Sequence, residues 1–169
     1  SMKKKISFCV CCYNEEENIE LMYEALTEQM KKVPEYDYEI LFEDNDSDDS
    51  SPEIFRRIAA KDKRVKVILN QTNFGPDRST VNCMRHMTGD AYIGIPCDFQ
   101  EPPEMIPEFI HEWEKGHDIV WGQKLRSKEN PIKRVCRNLF YSIIDLFSEH
   151  KQYRHVIGFG ITDRKVIDI

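Results

Sequence analysis

Short apolar runs alternate with amphipathic segments over the first 121 residues, and this alternation constrains the fold more than any single motif. Apolar runs of about four to eight residues suit strands, and segments with apolar residues three and four apart suit helices packed on them. Ile6 to Cys12, Tyr38 to Phe42, Val65 to Leu69, Ala91 to Ile95 and Asp118 to Trp121 read as strands. Asn14 is expected to open the first helix, with Ile19, Met22, Leu26 and Met30 on its inner face. Ser51-Pro52 reads as an N-cap followed by proline at the first helical position, in a helix burying Ile54, Phe55 and Ile58. Asp77 to Met87 forms the third helix, and Glu104 to Lys115 the fourth, closed by Gly116. The expectation is α/β: one domain over residues 1–169 with a Rossmann-like, mainly parallel sheet flanked by helices.

The chain has 169 residues and a formal charge of −6, with lysines and arginines spread among the acids. That balance argues against a dedicated nucleic-acid binder. No run reaches the roughly 18 apolar residues of a membrane span, and no signal-peptide core is present. Ser1 reads as an appended residue before Met2. The six cysteines, Cys9, Cys11, Cys12, Cys83, Cys97 and Cys136, lack Cys-x-x-Cys spacing and a matching histidine cluster. They therefore read as small hydrophobes of a reducing compartment rather than as a metal or redox site, which places the protein in the cytoplasm.

In open α/β sheets, ligands bind beyond the carboxyl ends of the strands, and those ends carry the unusual residues here. The fourth run breaks off into Pro96-Cys-Asp98-Phe-Gln100-Glu-Pro-Pro-Glu104. On a strand end, Asp98 and Gln100 would point the same way and offer hard oxygens to Mg²⁺ or Mn²⁺, a cation usually shared with substrate phosphates. The first strand ends in Tyr13-Asn14-Glu15, the second in Glu43-Asp44-Asn45 and the third in Asn70 and Asn73-Phe74-Gly75. Asp44 could accept hydrogen bonds from a base or a ribose, or simply shape a turn; Asp48, Asp49 and Ser50 suit capping. Asn73-Phe-Gly75 could be an ordinary turn with glycine at positive φ. Arg78 could reach an anion or be solvated. Gly122-Gln-Lys124-Leu-Arg126 supplies two cations after the fifth strand, suited to a diphosphate or to solvent.

Beyond Gly122 the pattern changes. A helix over 131–149 would carry Ile132, Val135, Cys136, Leu139, Phe140, Ile143 and Phe147 on one stripe, flanked by Lys133, Arg134 and Arg137. It suits a core-facing helix, and alternatively a helix resting on an anionic membrane surface. A helix-like pattern begins at Asp163-Arg-Lys-Val and stops at Ile169, which suggests that the domain continues further.

In this order the motifs resemble those of the inverting GT-A glycosyltransferases of family 2, especially the polyprenyl-phosphate sugar transferases similar to dolichol-phosphate mannose synthase. The resemblance rests on Cys12-Tyr-Asn-Glu-Glu-Glu-Asn-Ile19, Tyr38-Glu-Ile-Leu-Phe-Glu-Asp44, Asn73-Phe-Gly75, Thr88-Gly-Asp90, Asp98-Phe-Gln100-Glu-Pro-Pro-Glu104 and Asp163-Arg-Lys-Val166. It implies a GT-A fold and transfer of a sugar from a nucleotide-diphosphate donor to a polyprenyl phosphate or a cell-envelope glycan. Tyr13, Asn14, Glu15, Asp44, Asn73, Gly75 and Arg78 would hold the nucleotide. Asp98 and Gln100 would hold the metal, and Lys124 and Arg126 would meet phosphates. Two positions depart from the family pattern: Pro96 stands where a first metal-binding aspartate is usual, and Gly158 where an acidic residue is. Membrane association, at the cytoplasmic face and through the 131–149 helix, would follow from a lipid-phosphate acceptor. Two alternatives remain at this point. One is a nucleotide-sugar-binding domain of the same fold with impaired catalysis. The other is a nucleotidyltransferase, which the acidic rather than glycine-rich loop after the first strand disfavours.

Overall fold

The structure, a computed structural model, describes residues 2–122, 139 and 159–168. In chain order the elements are β1 (Lys5–Cys12), α1 (Ile19–Lys31), β2 (Asp37–Asp44), α2 (Ser51–Lys61), β3 (Val65–Leu69), α3 (Pro76–His86) and β4 (Ala91–Gly94). A 3₁₀ turn (Pro103–Met105), α4 (Ile106–Glu114), β5 (Ile119–Trp121), β6 (Gly160–Asp163) and a short α5 (Arg164–Ile167) follow. The five strands expected from the sequence are all present. The sixth, β6, enters the sheet antiparallel between β4 and β5, giving the order β3-β2-β1-β4-β6-β5. Gly160 is needed there, since a Cβ would sit 2.0 Å from the Val120 carbonyl oxygen of β5.

Alternation along the parallel strands builds two unequal layers. Ile6, Phe8 and Val10 of β1, with Ile40 and Phe42 of β2, face α1, α2 and α4 in the main core. Phe42 packs on Phe55 at 5.0 Å between ring centroids, and Phe109 meets Phe159 edge-on at 4.8 Å. On the opposite face Cys9, Leu41 and Tyr92 meet Cys83 and Met87 at α3 in a smaller cluster.

All four expected helices start at a different residue, α3 by a single position at Pro76 rather than Asp77. Asn14 does not open α1. It sits at φ 51°, and the chain turns through Glu15, whose carbonyl accepts from the N–H groups of Asn18 and Ile19 before the helix begins. Ser50, not Ser51, is the N-cap of α2, which moves Pro52 to the second helical position. The expected fourth helix is a 3₁₀ turn running into α4, because Pro107 has no N–H to donate to the Pro103 carbonyl, which accepts from the Ile106 N–H instead. Gly116 follows α4 at φ 98°, as its closing role requires.

Candidate functional site

Parallel pairing brings the strand ends to one edge. Cys12 lies opposite Asp44, and Asp44 opposite Leu69. The Ile95 N–H donates to the Cys9 carbonyl, extending the β1–β4 ladder past Gly94, and the Cys97 thiol lies against that of Cys12. Tyr13, Asn14 and Glu15, Asp44, the Asn73–Arg78 segment, and Asp98 with Gln100 are therefore delivered to the same rim by four successive loops. Lys124, Arg126, Cys136, Gly158 and, apart from the exposed Leu139, the 131–149 segment lie outside the described residues.

The loops after β1 and β2 are joined by reciprocal hydrogen bonds. The Asn14 N–H donates to Ser47 Oγ (2.9 Å), and the Asp48 N–H donates back to Asn14 Oδ1 (2.9 Å). The Glu16 N–H donates to Asp49 Oδ2 (3.1 Å), and the Ser50 N–H to Glu16 Oε2 (2.9 Å). Asp49 also accepts from the Ser51 N–H (2.9 Å), so it caps α2 as expected. Burial raises its pKa, but these donors outweigh burial and hold the carboxyl below its ordinary range. Asp44 is buried, and Ser47 grips both of its oxygens: the hydroxyl donates to Oδ1 (2.6 Å) and the N–H to Oδ2 (3.1 Å). Asp44 thus shapes a turn, while each oxygen keeps a lone pair for a further donor. Glu15 Oε2 accepts from Asn18 Nδ2 (2.8 Å), and the Tyr13 ring is 38% exposed beside them.

The fourth loop departs from the expected geometry. Asp98 and Gln100 do not share a strand face, because β4 ends at Gly94 and Phe99 between them adopts φ 60°. The Gln100 N–H donates to Asp98 Oδ1 (3.3 Å), closing a turn that leaves Asp98 half-buried and Gln100 5% exposed. Pro96 contributes no side-chain donor, and among the described residues no three His, Cys, Asp or Glu side chains group as a metal cage. One accessible carboxylate with a neighbouring amide suits a hard cation that takes its remaining oxygens from a substrate and water. Gly75 sits at φ 79°, the positive φ expected of that turn, and its N–H donates to Asn73 Oδ1 (2.9 Å).

The family profile described as Glycosyl transferase family 2 matches residues 7–167. The chain belongs to this family. The bactoprenol glucosyl transferase of Shigella phage SfX is 33% identical over 165 residues, covering 97% of this chain and 54% of its own length. The chain thus spans about half the length of the relatives it matches. Glucosyl-3-phosphoglycerate synthase from Mycobacterium tuberculosis, solved with Mn²⁺, UDP and phosphoglyceric acid, has a TM-score of 0.60 at 18% identity, covering 96% of this chain and 57% of that one. The mannosyltransferase from Pyrobaculum calidifontis, solved with GDP-Man and Mn²⁺, has a TM-score of 0.51 at 22% identity, covering 58% of this chain and 28% of that one. The fold is accordingly the GT-A arrangement.

Two of the motifs that carry the family resemblance act here as structural anchors away from the rim. Thr88-Gly89 closes over Glu39, a carboxylate 1% exposed in the first half of β2. Its oxygens accept from the Thr88 N–H (2.7 Å), Thr88 Oγ (2.9 Å), Ser7 Oγ (2.7 Å) and Lys66 Nζ (2.7 Å), with Lys5 Nζ at 3.3 Å. Burial pushes this carboxyl up, but the donors win and hold it at about 2. The Asp163 side chain caps α5 through the Lys165 N–H and accepts from Trp113 Nε1 (2.8 Å). Arg164 donates to the Gly89 carbonyl (2.9 Å), and its own N–H bonds the Asp90 carbonyl (2.8 Å).

The sequence reading missed Ser47 and Glu39. A serine three residues after a strand-end aspartate is a usable signal for a locked carboxylate, whereas a lone glutamate in an alternating strand reads as solvent-facing. The five described cysteines are free; Cys11 is half-buried and the others are buried. Burial raises the Cys9, Cys11 and Cys12 thiols, and hydrogen bonding to Cys9 together with burial raises Cys83. None of these four is poised as a thiolate nucleophile.

Proposed function

We propose that this chain is the donor-binding and catalytic domain of an inverting glycosyltransferase that moves a sugar from a nucleoside diphosphate to a polyprenyl phosphate. The observation that carries the reading is the convergence of Tyr13, Asp44, the Asn73–Arg78 segment and Asp98 on one sheet edge. Support for the donor class comes from the UDP and GDP-Man complexes of the two solved relatives in fold. Support for a lipid-phosphate acceptor comes from the name of the phage relative.

In this reading the exposed Tyr13 ring stacks on the base, and Asp44 accepts from the base or ribose through its remaining lone pairs. Arg78, with Lys124 and Arg126, neutralises phosphate charge. Asp98, assisted by Gln100, holds the divalent cation. The bound cation supplies charge neutralisation at the leaving diphosphate. A phosphate acceptor arrives already anionic and attacks the anomeric carbon directly, so no protein base has to be assigned. The family match and the 33% identity rank this above a binding domain without turnover, even though Pro96 offers no carboxylate and no three metal-binding side chains group among the described residues.

Incubation with UDP-glucose or GDP-mannose, Mn²⁺ and a short-chain polyprenyl phosphate should yield the nucleoside diphosphate and an inverted glycosyl phospholipid. Binding of UDP or GDP without product on any lipid phosphate would leave only a nucleotide-sugar-binding domain. Failure to bind either nucleotide in Mn²⁺ would remove the donor site altogether.

A further inference from the structure

We propose that Glu43 is a positioning residue for the donor site, acting through Asn70 and Asn45 on the turn that precedes Arg78. This goes beyond the donor-site reading and rests on it. Glu43 is the penultimate residue of β2, fully buried, and faces α3 rather than the main core. Its Oε1 accepts from Asn70 Nδ2 (2.8 Å) and from Asn82 Nδ2 of α3 (3.0 Å). Its Oε2 is buried without a hydrogen-bond partner, and no cation among the described residues pairs with it. The two hydrogen bonds to this buried carboxyl both come from amides, so what it fixes is what those amides hold.

The bonds lead to the rim. Asn70 Nδ2 also donates to Asn45 Oδ1 (3.2 Å), and that same oxygen accepts from the Phe74 N–H (3.3 Å). The Asn70 N–H donates to the Asp44 carbonyl (2.9 Å). One carboxylate oxygen therefore fixes the β2 end that carries Asp44, the Asn73–Gly75 turn and, through Asn82, the body of α3. Apolar packing cannot substitute for it. The apolar contacts of α3 lie at its C-terminal end, at Cys83, Met84 and the following Met87, whereas Ser79 and Thr80 nearer its start are buried polar residues, and Ser79 Oγ has no partner.

The test is calorimetric titration of UDP and of GDP, each with Mn²⁺, into the wild type, Glu43→Ala, Glu43→Gln and Asn70→Ala, with melting temperatures measured alongside. Glu43→Ala frees both amides and should weaken nucleotide binding by about tenfold, the scale of one charge-assisted hydrogen bond. Glu43→Gln keeps a carbonyl oxygen for Asn70 and Asn82 and should restore affinity to within about twofold of wild type. Asn70→Ala should match Glu43→Ala, and the double variant should be no weaker than either, since both cut one chain of bonds. If Glu43→Ala does not fold, Asn70→Ala against Glu43→Gln carries the comparison. Lower melting temperature with unchanged affinity in Glu43→Ala and Asn70→Ala would make Glu43 purely structural and overturn the proposal. Absence of nucleotide binding by the wild type would overturn the donor site itself, and the positioning role with it.

Discussion

Glu39→Gln is the sharpest test of how this sheet is held. The wild-type carboxyl is held at about 2 against an ordinary 4.5. A depressed carboxylate contributes stability that is complete above its unfolded pKa and is lost as pH falls through its folded pKa. Its window here therefore runs from about pH 4.5 down to about pH 2. At about 1.4 kcal/mol per unit, the shift corresponds to an upper value of about 3 kcal/mol at neutral pH. Solvent reduces this, because the Lys5 and Lys66 side chains are 34% and 46% exposed; about 2 kcal/mol is the expected loss in Glu39→Gln at pH 7. Urea unfolding followed by the fluorescence of Trp113 and Trp121 measures it at several pH values. The amide resembles the protonated acid in shape and in presenting a donor to donors. The gap between variant and wild type should therefore close as pH falls to about 2. A gap that stays constant from pH 7 to pH 2 would refute the ionic account, and no gap at pH 7 would refute the anchoring role.

Three further outcomes follow from the same geometry. Ser47→Ala removes the hydroxyl that grips Asp44 and receives the Asn14 N–H; UDP affinity in Mn²⁺ should fall several-fold for about 1 kcal/mol of stability, with Ser47→Thr near wild type, and unchanged titration curves would dismiss it. Asp98→Asn retains an acceptor for the Gln100 N–H but removes the charge; it should abolish the Mn²⁺ dependence of nucleotide binding with a small change in melting temperature, and persistent dependence would place the cation elsewhere. Gly89→Ala would put a Cβ 2.5 Å from Ser7 Oγ, 2.8 Å from the Lys5 carbonyl oxygen and 2.9 Å from the Ser7 nitrogen; two of these atoms are backbone, so a loss of about 1–3 kcal/mol is expected, and a neutral effect in thermal melts would contradict the packing.

The sheet was legible because buried parallel strands are continuous apolar runs, and Val65 to Leu69 carried its limits unchanged into β3. β6 was not, since Gly160-Ile-Thr-Asp offers one large apolar residue and acquires its place by pairing with β4 and β5. The rim was legible as a set of polar strand ends, because chain direction alone brings parallel strands to a common edge. Its detailed geometry was not. Nothing in the sequence marks Phe99 for the left-handed region, and strand alternation was therefore the wrong rule for Asp98 and Gln100. Similarly, Asn14 was read as a helix start because asparagine favours caps, yet asparagine also tolerates positive φ, and the loop used that property instead.

That second property extends beyond Asn14. The three non-glycine residues at positive φ among those described are Asn14, Asp46 and Phe99, and each lies in a loop leaving β1, β2 or β4 at the candidate site. Such conformations cost on the order of 1 kcal/mol or more each and persist only where the surroundings over-determine them. For Asn14 the surroundings are the bonds to Ser47 and Asp48. For Phe99 they are the packing of its half-buried ring on the main core. Both arrangements fix the loop before any ligand arrives, the first by tying it to its neighbour and the second by tying it to the hydrophobic interior. Ordering of these loops is thus accomplished during folding, and under the proposed donor-site reading a nucleotide meeting Tyr13, Asp44 and Asp98 would not have to supply that ordering from its own binding energy. The strain sits in the loops that carry the candidate site, while the strands beneath them follow the ordinary rules of a buried parallel sheet.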